Sequence, residues 1–278
     1  EVWYASISVN DIIELAKSEE SKKRMSRRVE RAKAKSLTGE NYPGLTKVEN
    51  GKVVIIDHPP LIYHFKESDT QTYFDMVEEA FQQYAATLGE EKRILFDQYK
   101  FVDFAAKVVG VGSVGRLCAI SLRMTANNQP LFLQVKEATS SVLEPFTRRS
   151  VYSNCGQRVV QGQKLMQAAS DIFLGWAVGA RGRHFYVRQL RDMKIKPLIE
   201  VFNNETMMDY ASLCGWALAR AHARSGKSAI VAGYLGNNSK FAEAIAKFAI
   251  AYADQNEQDF DALRSAVKSG RLEAYFEQ

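Results

Sequence analysis

Three glycines, a serine and a downstream lysine form the part of the chain whose residue types and spacing could bind phosphate. Gly110, Gly112 and Gly115 fit the pattern G-x-G-x-x-G, and Ser113 adds a hydroxyl at the predicted tip of the loop. Glycines in such a loop let backbone amides approach phosphates without obstruction by side chains. Lys136 ends the second strand predicted after the loop, where its ammonium group can reach the same phosphates.

The context of these glycines separates two kinds of nucleotide-binding loop. A dinucleotide-binding loop opens a helix and is followed, about 20 positions later, by an acidic residue. Here the glycines precede the β-prone residues 117–124, a turn at 127–130 and a second strand at 131–135. This order argues against a Rossmann loop and favours a loop of the protein-kinase type, which lies between two strands. An ordinary glycine-rich hairpin with a surface lysine is the alternative.

A kinase-type site also needs a carboxylate that holds the lysine. The predicted helix at 157–169 carries none, so Glu144 is the best candidate, whereas Glu137 should project from the opposite face of the strand. The backbone of residues 187–190, with Arg188 among them, would border the base. No loop with a catalytic aspartate and a magnesium-binding asparagine follows where it is expected, so the sequence shows no catalytic residues.

Two other motifs carry less weight. Residues 226–228 read Gly-Lys-Ser like the end of a P-loop, but the position five residues before Gly226 holds Ala221 instead of glycine. His58 and His64 flank a Pro-Pro turn and lack carboxylate or cysteine companions at metal-binding spacing, so we expect no metal site there.

The composition is that of an ordinary globular protein. The chain has 278 residues, of which 46% are apolar and 25% charged, with a net charge of +5. No apolar run approaches the roughly 20 residues of a membrane span, and the N-terminus lacks a secretory signal. The three scattered cysteines argue against a disulfide framework and favour a cytoplasmic location. We interpret Glu1 as a cut end.

The predicted elements give an α+β fold in three parts. Residues 1–45 form a basic helical segment, 46–195 a lobe containing the sheet, the glycine-rich loop and the lysine, and 196–278 a helical lobe. Within the last lobe, the apolar periodicity predicts separate helices at 240–253 and 259–267. The fold class is therefore kinase-like, with a small antiparallel sheet, a glycine-rich hairpin and a mostly helical C-terminal part.

The helix predicted at 10–37 is strongly basic over residues 22–35. Such a face is more often solvated than bound to phosphate, so nucleic acid is not an expected partner. Nucleic-acid binding is kept as a weaker alternative, which predicts an affinity that falls steeply with salt.

Five long segments carry a resemblance to a known family. They are residues 108–115 (VVGVGSVG), 133–138 (LQVKEA), 165–176 (LMQAASDIFLGW), 186–194 (YVRQLRDMK) and 218–226 (LARAHARSG). Together they resemble the bacterial family called domain of unknown function 2252, and the resemblance spans nearly the whole chain.

The resemblance implies a function as well as a fold. Members of this family carry two earlier segments, Gly-Asp-x-His-x-x-Asn-Phe-Gly and Asn-Asp-Phe-Asp, which are similar to the catalytic loop and the metal-binding aspartate of small-molecule kinases. The chain would then be the later part of a permuted kinase-like phosphotransferase that binds ATP and magnesium, has an unidentified acceptor and is inactive as this piece. The alternative is a non-enzymatic binding or scaffold protein with a kinase-like shape.

Overall fold

The computed structural model describes residues 2–14, 19–37, 45–65, 70–110, 113–190 and 197–274. Its helices are α1 (Val9–Glu14), α2 (Glu19–Leu37), α3 (Thr70–Ala85), α4 (Glu90–Phe96), α5 (Cys155–Met166), α6 (Asn204–Ser225), α7 (Ser228–Leu235) and α8 (Lys240–Lys268). Its strands are β1 (Thr46–Glu49), β2 (Lys52–Ile55), β3 (Ile62–Tyr63), β4 (Lys100–Lys107), β5 (Cys118–Met124), β6 (Pro130–Ala138), β7 (Gly175–Val178) and β8 (His184–Gln189). The prediction of a mixed α+β fold is confirmed.

Six of these strands form one antiparallel sheet in the order β3-β4-β5-β6-β8-β7, and β1 and β2 pair with each other in a separate hairpin. Strands β4, β5 and β6 follow one another both in the chain and in the sheet. The glycine-rich residues 108–117 therefore connect two neighbouring antiparallel strands, as the sequence predicts. We refer to residues 108–117 as the glycine loop.

The alternation of side chains along β6 gives the sheet two faces. Leu131, Leu133 and Val135 pack into one apolar cluster with residues of α3, whereas Phe132 belongs to a second cluster on the other side. Lys136 shares the parity of Phe132 and so projects from that second side. We call the two sides the α3 face and the lysine face.

A buried arginine joins α3 and α4 to the sheet. Arg123 of β5 is 4% exposed, and its two terminal nitrogens lie 3.2 and 3.3 Å from the carboxylate oxygens of Glu78 on α3. Its Nε donates to the carbonyl oxygen of Tyr99 at 3.0 Å. The guanidinium also lies over the rings of Phe81 and Phe96, at 5.1 and 4.6 Å from their centroids. Loss of Glu78 would leave this buried charge without its carboxylate partner, which would destabilise the fold.

A histidine held between two carboxylates joins the segment around β3 to β4. The Nδ1 atom of His64 lies 2.8 Å from Asp57, and its Nε2 atom lies 3.1 Å from Asp103. Asp103 is buried and also accepts the backbone N–H of Ile55 at 2.7 Å. The hydrogen bond to Asp103 is the main cause that raises the pKa of His64 to about 9, against partial burial, which lowers it.

The chain divides into two compact units, Glu1–Ala221 and His222–Gln278. In the second unit α8 runs without a break from Lys240 to Lys268, so the prediction of two separate helices there is wrong. Residues 254–258 are polar and interrupt the apolar pattern, but they contain neither glycine nor proline and so do not end the helix. The three-part division at residues 45 and 195 stays a prediction.

Within the described ranges, none of the helices is both long and apolar enough to cross a membrane.

We expect the free energy of unfolding to decrease between pH 6.5 and about 9 because of His64. The pKa of its imidazole is higher in the folded than in the unfolded chain, so its contribution is complete below pH 6.5 and is lost as the pH rises through 9. The loss should be about 1–2 kcal/mol, since solvent screens this partly exposed side chain. Urea denaturation at several pH values measures it.

His64→Gln should remove most of this pH dependence, whereas His58→Gln, at an exposed imidazole on the same segment, should keep it. An identical slope in the His64→Gln variant would contradict the assignment.

Candidate functional site

Both ends of the glycine loop are held by hydrogen bonds. At its start, the N–H of Val108 donates to the carbonyl oxygen of Leu61 at 2.7 Å. At its end, the N–H of Leu117 donates to the Glu137 carboxylate at 2.9 Å, and the N–H of Glu137 donates to the carbonyl of Leu117 at 2.8 Å. Sequence reasoning predicted only that Glu137 points away from Lys136. Its clamping role has no signal in the sequence, because the contact joins residues 20 positions apart.

Backbone turns shape the described part of the loop. The N–H of Ser113 donates to the carbonyl of Gly110 at 2.9 Å, and the N–H of Arg116 donates to the carbonyl of Ser113 at 3.0 Å. Ser113 is half-buried, and Val114 beside it is 81% exposed. Gly112, which is also predicted to contact phosphate, lies outside the described residues.

The backbone requires glycine at one of the two described loop positions and not at the other. Gly115 has a φ of +73°, in the left-handed region that residues with side chains rarely adopt. Gly110 has an ordinary φ, and a Cβ atom built on it would meet no atom within 4 Å. The fold therefore requires glycine at 115 but not at 110, where the space next to the backbone is open to a ligand.

Lys136 stands on the strand next to the end of the loop. It pairs with Cys118, the first residue of β5, and on its other side with Tyr186 of β8. Such directly opposed residues have Cα atoms about 5 Å apart. Lys136 is half-buried and, within the described part of the chain, forms no ion pair with a carboxylate. Burial raises the pKa of the Tyr186 hydroxyl, while nearby Arg188 lowers it.

The two remaining predicted site residues lie in different surroundings. Glu144 is in a short 3-10 helix, Glu144–Phe146, and forms no ion pair with Lys136 in this structure. Arg188 lies on the lysine face, where its Nε and one terminal nitrogen donate to the side-chain oxygen of Gln134 at 3.1 and 2.9 Å. Orientation of the lysine by Glu144 and a base-binding role for the strand around Arg188 both stay predictions.

Helix α5 begins against the lysine face. Asn154 caps it by accepting the N–H of Gln157 at 3.1 Å, and the N–H of Cys155 lies 3.1 Å from Nδ1 of His184 on β8. Since side chains alternate, His184 projects from the same face as its strand neighbour Tyr186, the partner of Lys136. The helix approaches β8 so closely that a Cβ on Gly156 would lie 2.1 Å from a backbone oxygen.

Three connections meet at the end of the sheet where the glycine loop lies. Antiparallel pairing brings together the loop, the β6–α5 connection (139–154) and the β7–β8 turn (179–183). These connections carry five arginines, all exposed, and one carboxylate, that of Glu144. The arginines are Arg116, Arg148, Arg149, Arg181 and Arg183. Their summed field favours an anionic ligand at this end of the sheet.

A cavity of about 890 Å³ lies on the α3 face, between α3, the sheet and the β7–β8 turn. Val135 lines it, whereas Lys136, the next residue, projects from the opposite face. Leu117, the last residue of the glycine loop, also lines the cavity. We call it the α3 cavity. It is separate from the surface on which the predicted phosphate-binding residues lie.

Two carboxylates contact His64, and sequence reasoning identified neither of them. Asp57 contacts it from before the Pro-Pro turn, seven positions earlier in the chain, and Asp103 reaches it from a neighbouring strand, 39 positions away. The two carboxylates bind opposite nitrogens of the ring, so the three side chains do not converge on one point. Over the described residues, no group of three or more His, Cys, Asp or Glu side chains could hold a metal ion.

Alanine substitutions at the two described loop glycines should affect stability differently. We expect Gly115→Ala to lower the free energy of unfolding by about 1 kcal/mol, because alanine is strained at positive φ. Gly110→Ala should leave it unchanged or slightly higher, since the site is open and the unfolded chain loses freedom. Urea denaturation of the two variants checks this, and equal destabilisation of both would contradict the described loop geometry.

Comparison with known proteins places the chain in a family. The family described as uncharacterized protein conserved in bacteria (DUF2252) has a model that matches residues 1–266. No curated protein and no solved structure matches the chain. The match covers most of the chain and agrees with the resemblance carried by its motifs, so the protein belongs to the DUF2252 family.

Proposed function

We propose that this chain is the nucleotide-binding portion of a kinase-like phosphotransferase, and that the glycine loop and Lys136 hold the phosphates of magnesium-ATP. Backbone amides of the loop would donate to the phosphates, and the lysine ammonium would contact the α- and β-phosphates. The acceptor of the transferred phosphoryl group is not assigned.

One observation carries this proposal: the pairing of Lys136 with Cys118. Cys118 is the first strand residue after the glycine loop, so the lysine lies one strand away from the base of the loop. A lysine at this place can reach a phosphate held under the loop, whereas a lysine shifted by one position would project from the α3 face.

The order of the surrounding elements supports the same function. Protein kinases follow their glycine-rich loop with a strand that carries the phosphate-binding lysine, and then with a helix that packs near it. In this chain the order is glycine loop, β5, β6 with Lys136, and then α5, whose first turn contacts the lysine face. Arg116, Arg148 and Arg149, which are exposed on the connections beside the loop, add a positive field that suits a triphosphate.

The site departs from the kinase pattern in the partner of the lysine. Kinases pair it with a glutamate of the following helix, and α5 contains no acidic residue. Within the described residues Lys136 forms no ion pair with a carboxylate, and no carboxylate of α5 fixes its position. Magnesium belongs to the proposal as the cation that accompanies ATP, and we assign no residue of this chain to it.

A binding protein without catalytic activity is the second candidate function. The acid-free sequence of α5 favours it, since an enzyme of this class depends on the lysine–glutamate pair. Transfer of labelled phosphate from ATP to any acceptor would exclude it, whereas nucleotide binding without transfer would favour it.

Lys136→Ala should weaken the binding of magnesium-ATP, measured by titration calorimetry, by at least about tenfold. The substitution removes a charge-assisted contact to phosphate oxygens and leaves the buried strand positions beside it unchanged. Lys100→Ala is the matched control, because Lys100 is exposed on β4 at the opposite end of the strand from the loop.

Equal affinity of the Lys136→Ala and Lys100→Ala variants would remove Lys136 from the site. If the unmodified chain binds no nucleotide at all, the glycine loop is a structural hairpin.

A further inference from the structure

The α3 cavity has the size and walls of a ligand site. Its volume of about 890 Å³ lies within the range of about 300–1,000 Å³ that small-molecule pockets occupy. Aromatic and aliphatic side chains from α3 and the sheet form its walls, among them Phe81, Phe104, Ala119, Val135 and Phe185. Apolar walls of this kind bind hydrocarbon by removing it from water.

The polar side chains that line the cavity come from two elements. Of the described lining residues, four have polar side chains: Glu79 and Gln83 on α3, and Arg181 and Arg183 on the β7–β8 turn. Both arginines are exposed, and neither forms an ion pair with a carboxylate of the described residues. The lining therefore carries two cationic groups against one anionic group.

The β7–β8 turn holds these arginines in place. The N–H of Gly179 donates to the carbonyl of Arg183 at 2.8 Å, which closes the turn. Arg181 has a φ of +59°, a conformation that few residues with a side chain adopt. The turn thus presents two guanidinium groups from a fixed backbone.

We propose that the α3 cavity binds a small amphipathic carboxylate, with its hydrocarbon chain among the apolar walls and its carboxylate at Arg181 and Arg183. Guanidinium groups bind carboxylates through paired N–H···O hydrogen bonds, which fixes the orientation of such a ligand. A fully apolar molecule would not use the arginines, and an inorganic anion would not use the walls. This site lies on the opposite face of the sheet from Lys136 and does not depend on nucleotide binding.

The experiment is titration calorimetry of the intact chain with octanoate, and with 1-octanol as the uncharged ligand of equal chain length. We expect octanoate to bind more tightly than 1-octanol. The double variant Arg181→Ala, Arg183→Ala should weaken octanoate about tenfold and leave 1-octanol unchanged. A double variant of two exposed arginines that do not line the cavity, Arg27→Ala with Arg93→Ala, should bind both ligands like the unmodified chain.

Two single substitutions test the walls and the charge balance. Ala80 lines the cavity from α3, so Ala80→Leu should fill part of it and weaken both ligands severalfold, with thermal unfolding as the check that the variant is folded. Glu79→Gln should tighten octanoate severalfold, because it removes the only carboxylate among the described lining residues.

Several results would overturn the proposal. They are no octanoate binding to the folded chain, equal binding of octanoate and 1-octanol, or octanoate binding that does not respond to loss of Arg181 and Arg183. Displacement of octanoate by magnesium-ATP would assign the cavity to the nucleotide instead. If Ala80→Leu does not fold, the arginine variants still decide, since both arginines are exposed.

Discussion

The charge of Arg123 is the constraint on which the arrangement of α3, α4 and the sheet depends. A buried guanidinium must keep its partners, and here these come from three parts of the chain: the Glu78 carboxylate of α3, the Tyr99 carbonyl before β4, and the aromatic rings of Phe81 and Phe96. A shift of α3 along the sheet would break the ion pair and the ring contacts together. The arginine therefore holds α3 against the sheet and also fixes its position along β5.

The position of α3 shapes one face of the sheet, and the pairing of the strands shapes the other. On the α3 face, it leaves room between α3, the sheet and the β7–β8 turn, which is the α3 cavity. On the lysine face, the pairing of β5 with β6 places Lys136 opposite Cys118, at the base of the glycine loop. The His64 contacts with Asp57 and Asp103 hold the segment after β2 against β4, next to the strand that leads into the loop.

Local patterns in the sequence predicted what depends on neighbouring residues. The period of apolar residues and the turn residues located β5, β6, α5 and β8, and the glycine spacing located the loop, because these signals act over a few positions. The contacts of Glu137 with Leu117, of Asp103 with His64, and of Arg123 with Glu78 were not predictable, since each joins residues that the fold alone brings together. The α3 cavity belongs to the same class, because no short segment encodes the space between a helix and a sheet.

For the single helix α8, a local sequence pattern wrongly predicts the end of a helix. The polar residues 254–258 interrupt its apolar stripe, but the helix continues through them. A polar stretch that contains neither glycine nor proline can continue a helix, as this one does.

The clamped ends of the glycine loop also limit its reach. Val108 is tied to Leu61, and Leu117 is tied to Glu137, so the part of the loop that can cover a ligand lies between these two anchors. An extended chain spans at most about 3.5 Å per residue, so a ten-residue loop fixed at both ends can extend its tip by on the order of 15 Å. That distance covers a small molecule lying against the sheet edge and little more.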